Sequence, residues 1–198
     1  SQSRNLFEDG LDIIIRNGMF APIIEKVRSD NFESLSTITT SWDAFGISGS
    51  KAKLESMMSE EAFDGCVTVR CSRNEIRYIS RDTLQKNTHL IDKWKVFSSR
   101  ANGAAGMLNE DFAVAVTSPA YIGEPNVVCT EALLPFGAFE TEKEAVNLKK
   151  YMESKFFRFM VGILKTSQDL YQIVYTFVPL QDFTCNSDID WSEQTASI

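Results

Sequence analysis

The sequence predicts an α+β domain in which a twisted, mixed or antiparallel sheet packs against one long C-terminal helix, about residues 141–165. Three observations point there. Short apolar runs, several with strand periodicity, are separated by turn residues between Cys66 and Phe136. A strongly capped amphipathic segment begins at Thr141. The 198 residues suffice for one well-buried core and are short for two.

In chain order, Leu11 to Arg28 reads as a helical region broken near Asn17-Gly18 and restarted at Pro22, with Ile23, Ile24 and Val27 on one face. It is expected as an N-terminal helical connector over 1–30, ahead of a domain over 31–198. Asn31 to Gly49 is expected as irregular chain in which Trp42 and Phe45 are buried aromatic anchors. Lys51 to Glu61 is polar, mixed in charge, and defines no buried face. Cys66 to Cys71 and Glu75 to Ile79 alternate with period two around Ser72-Arg73-Asn74, a hairpin. Ser80 is placed to cap a short helix through Gln85, and Trp94 to Ser98 reads as a strand before a Gly103 to Gly106 loop. Phe112–Val116, Val127–Thr130 and Leu133–Phe136 are further apolar runs between turn residues. In the last helix, Thr141 and Glu144 form a capping box, and Glu140, Glu142 and Glu144 sit at the positive end of its dipole. Ala145, Leu148, Met152, Phe156, Phe159 and Ile163 make one continuous stripe.

Composition mostly excludes. A hydrophobic share of 43% with 24% charged residues is that of an ordinary globular chain. No apolar run approaches the roughly 20 residues of a bilayer span, so a soluble, cytoplasmic protein with no membrane partner is expected. Four cysteines without a Cys-x-x-Cys pair, and a single His89 far from them, lack zinc-ligand spacing and suit reduced thiols. Ser1-Gln2-Ser3-Arg4 has neither an initiator Met nor the order of a signal peptide, which suggests a piece of a longer protein.

Catalytic motifs are missing as well. Ser118-Pro119-Ala120-Tyr121 is only faintly like the Asn/Asp-Pro-Pro-aromatic motif of adenine methyltransferases, and no glycine-rich cofactor loop follows a strand. Glu153-Ser154-Lys155 fits the acid-x-Lys triplet of metal-dependent nucleases but has no upstream Pro-Asp. His89 has no Gly-x-Ser-x-Gly partner, and Asp182, Asp188 and Asp190 lack the spacing of a calcium loop. No catalytic residue, metal or cofactor is expected in this chain itself.

A formal net charge of −7 argues against nucleic-acid binding, because neutralising phosphates needs a positive surface. Charge is unevenly spread, however. Between Arg70 and Arg100 eight basic residues face three acidic ones, whereas residues 1–69 hold six basic and eleven acidic. A solvated strand face is the plain alternative for that basic stretch.

Several segments occur in a telling order: Leu90-Ile91-Asp92-Lys93-Trp94-Lys95-Val96, Val128-Cys129-Thr130-Glu131, Phe139 to Leu148, Lys155-Phe156-Phe157-Arg158-Phe159, Phe177 to Phe183, and Asp188-Ile189-Asp190-Trp191. With them the chain, from about Phe32 to Trp191, resembles the C-terminal target-recognition domain of bacterial restriction-modification adenine-specific DNA methyltransferases of the fused methylase-endonuclease type. The match departs after Trp191, where family members continue into another helical segment. The resemblance implies sequence-specific recognition of double-stranded DNA without catalysis, beside an upstream methyltransferase domain of the same polypeptide. That parent would be a DNA (adenine-N6) methyltransferase using S-adenosylmethionine, with or without a type II restriction endonuclease. Local charge and turn placement nominate Arg73, Arg77, Arg100 and Asn102 for bases and Arg70, Arg81, Lys93 and Lys95 for phosphates. They are expected to gather into one exposed ridge. The alternative is an acidic protein-interaction module that docks on a partner or on the parent enzyme.

Overall fold

The period-two runs fold into strands and the Thr141 segment into helix, giving the α+β architecture expected. The computed structural model describes residues 20–28, 32–102, 116–165 and 167–192. Among these, the strands are β1 (Cys66–Arg70), β2 (Ile76–Ser80), β3 (Trp94–Ser99), β4 (Tyr121–Gly123), β5 (Val127–Cys129) and β6 (Leu133–Phe139). They form two small sheets. The first, of order β2-β1-β5, is mixed: β1 and β2 are an antiparallel hairpin with Val67 opposite Ile79, and β5 runs parallel to β1. The second, of order β4-β3-β6, is antiparallel throughout.

Alternation along β3 places the second sheet between two cores. Val96 joins Leu134, Phe136 and the C-terminal helices, whereas Phe97 and Leu133 join Val67, Val69, Ile79 and Val128 from the first sheet. A bulge re-aims β6: Trp94 pairs with Phe139 but Val96 with Phe136, so two residues, Gly137 and Ala138, face Lys95 alone. Gly137 takes φ 73 there, a conformation that suits glycine.

The single helix expected over 141–165 is two: α3 (Glu142–Met152) and α4 (Lys155–Leu164), following α1 (Ala21–Val27) and α2 (Lys51–Met57) in the chain. The capping box is present, with the Thr141 amide donating to Glu144 Oε2 at 3.0 Å and Thr141 Oγ1 accepting from the Glu144 amide at 3.4 Å. The break falls at Ser154, which is extended (φ −71, ψ 154) and accepts the Phe157 amide on its hydroxyl at 3.1 Å. Serine competes for backbone donors in this way, which favours a new N-cap over helix interior. The apolar face rotates across the break. Phe157, Met160, Val161 and Leu164 are buried, and Phe156, assigned to the stripe, is 42% exposed.

The last segment closes over α3. Asn147 Nδ2 donates to the Phe183 carbonyl at 2.9 Å, Tyr151 to the Pro179 carbonyl at 2.8 Å, and Trp191 Nε1 to the Asp182 carbonyl at 3.0 Å. In α1, Pro22 occupies the first turn and Ile24 is buried in the same core as α3 and α4; residues 1–19 and 29–31 lie outside the described residues. The 103–106 loop and 112–115 of the Phe112 run lie outside them too. Lys51–Met57 forms α2, with Ser50 capping it by accepting the Lys53 amide at 3.3 Å, and as expected it defines no buried face, since none of its residues is buried. Ser80 makes no cap hydrogen bond, and only a 3-10 turn, Arg81–Thr83, follows it. Phe45 is buried as expected, but Trp42 is 50% exposed. No helix among the described residues is long and apolar enough to cross a membrane.

Candidate nucleic-acid interface

The eight nominated residues separate into distinct environments instead of one ridge. Three are matched with carboxylates. Arg77 donates from Nε to Glu75 Oε1 at 2.7 Å and also pairs with Glu60; those bonds hold the Glu60 carboxyl below the usual range and push Arg77 up. Arg81 grips Asp92 with two nitrogens, Nη1 reaching Oδ1 at 2.8 Å, which lowers the Asp92 pKa. Lys93 pairs with Glu140. Such surface pairs stabilise little, typically below about 1 kcal/mol, but each cancels one positive charge of the surplus.

Lys95 points inward. Its side chain is fully buried, and Nζ donates to the carbonyls of Lys93 at 2.7 Å, Glu124 at 3.2 Å and Ile91 at 3.3 Å. Burial lowers its pKa to about 8. In this fold a phosphate has no access to it. Asn102 is half-buried; its Nδ2 is buried without an acceptor among the described residues, and its carbonyl accepts from Lys165 Nζ at 2.6 Å.

Arg70, Arg73 and Arg100 converge. The turn at 130–132 ties the ends of β1 and β3 together, because the Thr130 amide donates to the Arg70 carbonyl at 3.0 Å and the Arg100 amide to the Ala132 carbonyl at 2.9 Å. The hairpin tip between β1 and β2 adds Arg73. Arg70, Arg73 and Arg100, with Asn74 and Tyr121, are among the residues that line a groove of about 300 Å³, and no acidic residue is among the described ones on its walls. Arg70 lies over the Tyr121 ring at 5.7 Å and Arg100 over the Trp42 ring at 6.0 Å, contacts that orient both guanidinium planes. None of the three has a carboxylate partner among the described residues. Arg100 Nε is buried with no acceptor among the described residues.

Beyond Arg73 the groove opens into a second of about 700 Å³, whose walls include Glu55, Glu60, Glu75 and Glu131. Lys51, Arg73 and Arg77 line that groove as well, so it is mixed in charge, whereas the charged residues lining the Arg70–Arg100 groove are arginines. The hairpin tip between the two grooves is strained. Arg73 (φ 57) and Asn74 (φ 62) are both left-handed, and the Glu75 amide closes the turn on the Ser72 carbonyl at 3.2 Å. Two-residue turns of this kind favour Asn-Gly, and a left-handed arginine costs about 1–2 kcal/mol.

The sequence does not nominate Tyr121, and it sets a DNA-flanking role for Trp42 below that of a buried anchor. Trp42 looks like any core aromatic until its loop is placed, and Tyr121 carries no local signal beyond its place after Ser118-Pro119. Chemically, the groove offers forked donors to an anion or a planar acceptor edge, with aromatic faces fixing the forks. No protein-family model and no curated protein matches this chain.

Proposed function

We propose that this chain recognises double-stranded DNA through the groove of Arg70, Arg73 and Arg100, as the non-catalytic specificity domain of a bacterial, cytoplasmic restriction-modification DNA adenine methyltransferase. Catalysis and S-adenosylmethionine binding belong to an upstream domain of the parent, with or without an endonuclease. The observation that carries the DNA assignment is the convergence of three guanidiniums free of carboxylates in a chain whose other central cations are largely neutralised. The link to methyltransferases rests on the ordered sequence segments alone.

The net charge of −7 and the pairing of Arg77, Arg81 and Lys93 favour the rival, an acidic module that docks on another protein. Anisotropy titrations of a labelled duplex across a salt series separate the two. Two to three phosphate-scale contacts predict a log–log slope of roughly −1.8 to −2.7, from about 0.9 per phosphate. A variant carrying Arg70→Ala, Arg73→Ala and Arg100→Ala should lose that binding with its melting temperature nearly unchanged. Duplex binding indifferent to salt, or to this triple change, refutes the DNA assignment and favours the docking module.

A further inference from the structure

Resting on the DNA assignment above, we infer that Arg73 is the base-reading residue of the groove and takes O6 and N7 of a guanine in the major groove, while Arg70 and Arg100 hold flanking phosphates. Placement is the first argument. Arg73 is at the tip of a two-stranded antiparallel hairpin, and the major groove admits such a ribbon. Freedom is the second. Arg70 and Arg100 lie over aromatic rings, and Arg77 on the same hairpin is held by Glu60 and Glu75. Arg73 is exposed, with no carboxylate partner among the described residues, so its fork keeps its donors for a ligand.

Backbone strain is the third argument. At φ 57 the turn would be served better by glycine, and a side chain kept in a disfavoured conformation is a mark of sites that act on ligands. Removing the Arg73 side chain should therefore relax the fold while it damages recognition, the opposite of what a structural arginine would do. The guanidinium fork matches guanine because both acceptors lie on one edge, and one good two-point contact discriminates by about 5- to 150-fold.

The test uses the 198-residue chain. Preferred duplexes are selected from a randomised pool, each guanine is replaced in turn by 7-deazaguanine, and affinity is measured for the wild type, Arg73→Gly and Arg73→Lys. One position should cost the wild type at least about fivefold. The same replacement should cost Arg73→Gly nothing, Arg73→Lys, whose ammonium can still donate to N7, should keep the wild-type salt slope, and the melting temperature of Arg73→Gly should match or exceed that of the wild type. If Arg73→Gly senses the modified guanine as the wild type does, or melts earlier, the inference is overturned and the DNA assignment stands. A wild-type chain with no salt-sensitive duplex binding defeats the DNA assignment itself.

Discussion

Replacing Lys95 with Met asks what a buried ammonium contributes in the middle of β3, and the structure sets the magnitudes. Holding the pKa at about 8 instead of 10.5 corresponds to ~3 kcal/mol against the charged form. Methionine removes that burden but leaves carbonyls without a donor. Of the three that Lys95 serves, Ile91 keeps the Asn126 amide at 2.8 Å and Glu124 keeps the Val127 amide at 3.2 Å, so only the Lys93 carbonyl loses its sole partner. An orphaned group costs about 1–3 kcal/mol. The two effects nearly cancel, and at pH 7 the variant should lie within about 2 kcal/mol of the wild type. The pH dependence is sharper. Because the folded pKa is depressed, the unfolded chain binds more protons between about pH 8 and 10.5, so the Lys95 contribution rises with pH in that window. Relative to Lys95→Met, the wild type should gain about 1.4 kcal/mol by pH 9 and about 2.5 by pH 10. Burial raises the Tyr151 and Tyr175 pKa values, so both proteins lose stability as pH climbs past 9 to 10, and the comparison removes that shared loss. Urea unfolding followed by tryptophan fluorescence at pH 7, 9 and 10 measures the difference. A gap that stays constant with pH refutes the account of Lys95.

Ser154→Ala removes the cap that starts α4 and should cost about 1 kcal/mol, seen as a melting temperature lower by about 2–4 °C in differential scanning calorimetry. Tyr175→Phe should stabilise by about 1 kcal/mol in urea unfolding, because the Tyr175 hydroxyl is buried with no hydrogen-bond partner among the described residues. Gly137→Ala should destabilise by more than about 1 kcal/mol in the same assay, since φ is 73 and a Cβ would meet the Phe139 ring at 2.2 Å.

What was legible in the sequence was local. The β1–β2 hairpin follows from period two on both sides of a turn, and the capping box at Thr141 needs only four residues. The helix break was hidden because Ser154 lies inside an unbroken apolar spacing, and only the folded chain shows its hydroxyl taking the Phe157 amide. The parallel pairing of β1 with β5 joins residues about sixty positions apart, which no local pattern reports. Lys95 defeats simple alternation because both faces of β3 are covered, so neither parity leads to solvent. The basic surplus misled for a related reason. Counted from Arg70 to Arg100 it omits Glu60 and Glu140, the carboxylates that lie outside that window and neutralise Arg77 and Lys93.

That cancellation bears on how an acidic chain could serve DNA. Charges farther than about 8 Å from a contact are largely screened at physiological ionic strength, so the seven excess negative charges matter less than what borders the groove. The charged residues that line it are three arginines, with the glutamates of the second groove beyond Arg73, a balance that on this reading allows discrimination and is too weak for tight holding. On the proposed reading, affinity comes from elsewhere. A tether to an upstream domain already on DNA supplies an effective concentration of order millimolar, and under that condition a weak, selective groove is sufficient. A strongly basic face would instead retain the parent enzyme on every sequence, because the phosphate term is blind to bases. On the proposed reading, pairing Arg77, Arg81 and Lys93 with carboxylates lowers non-specific grip and leaves Arg73 to decide which duplex is bound while Arg70 and Arg100 hold phosphates.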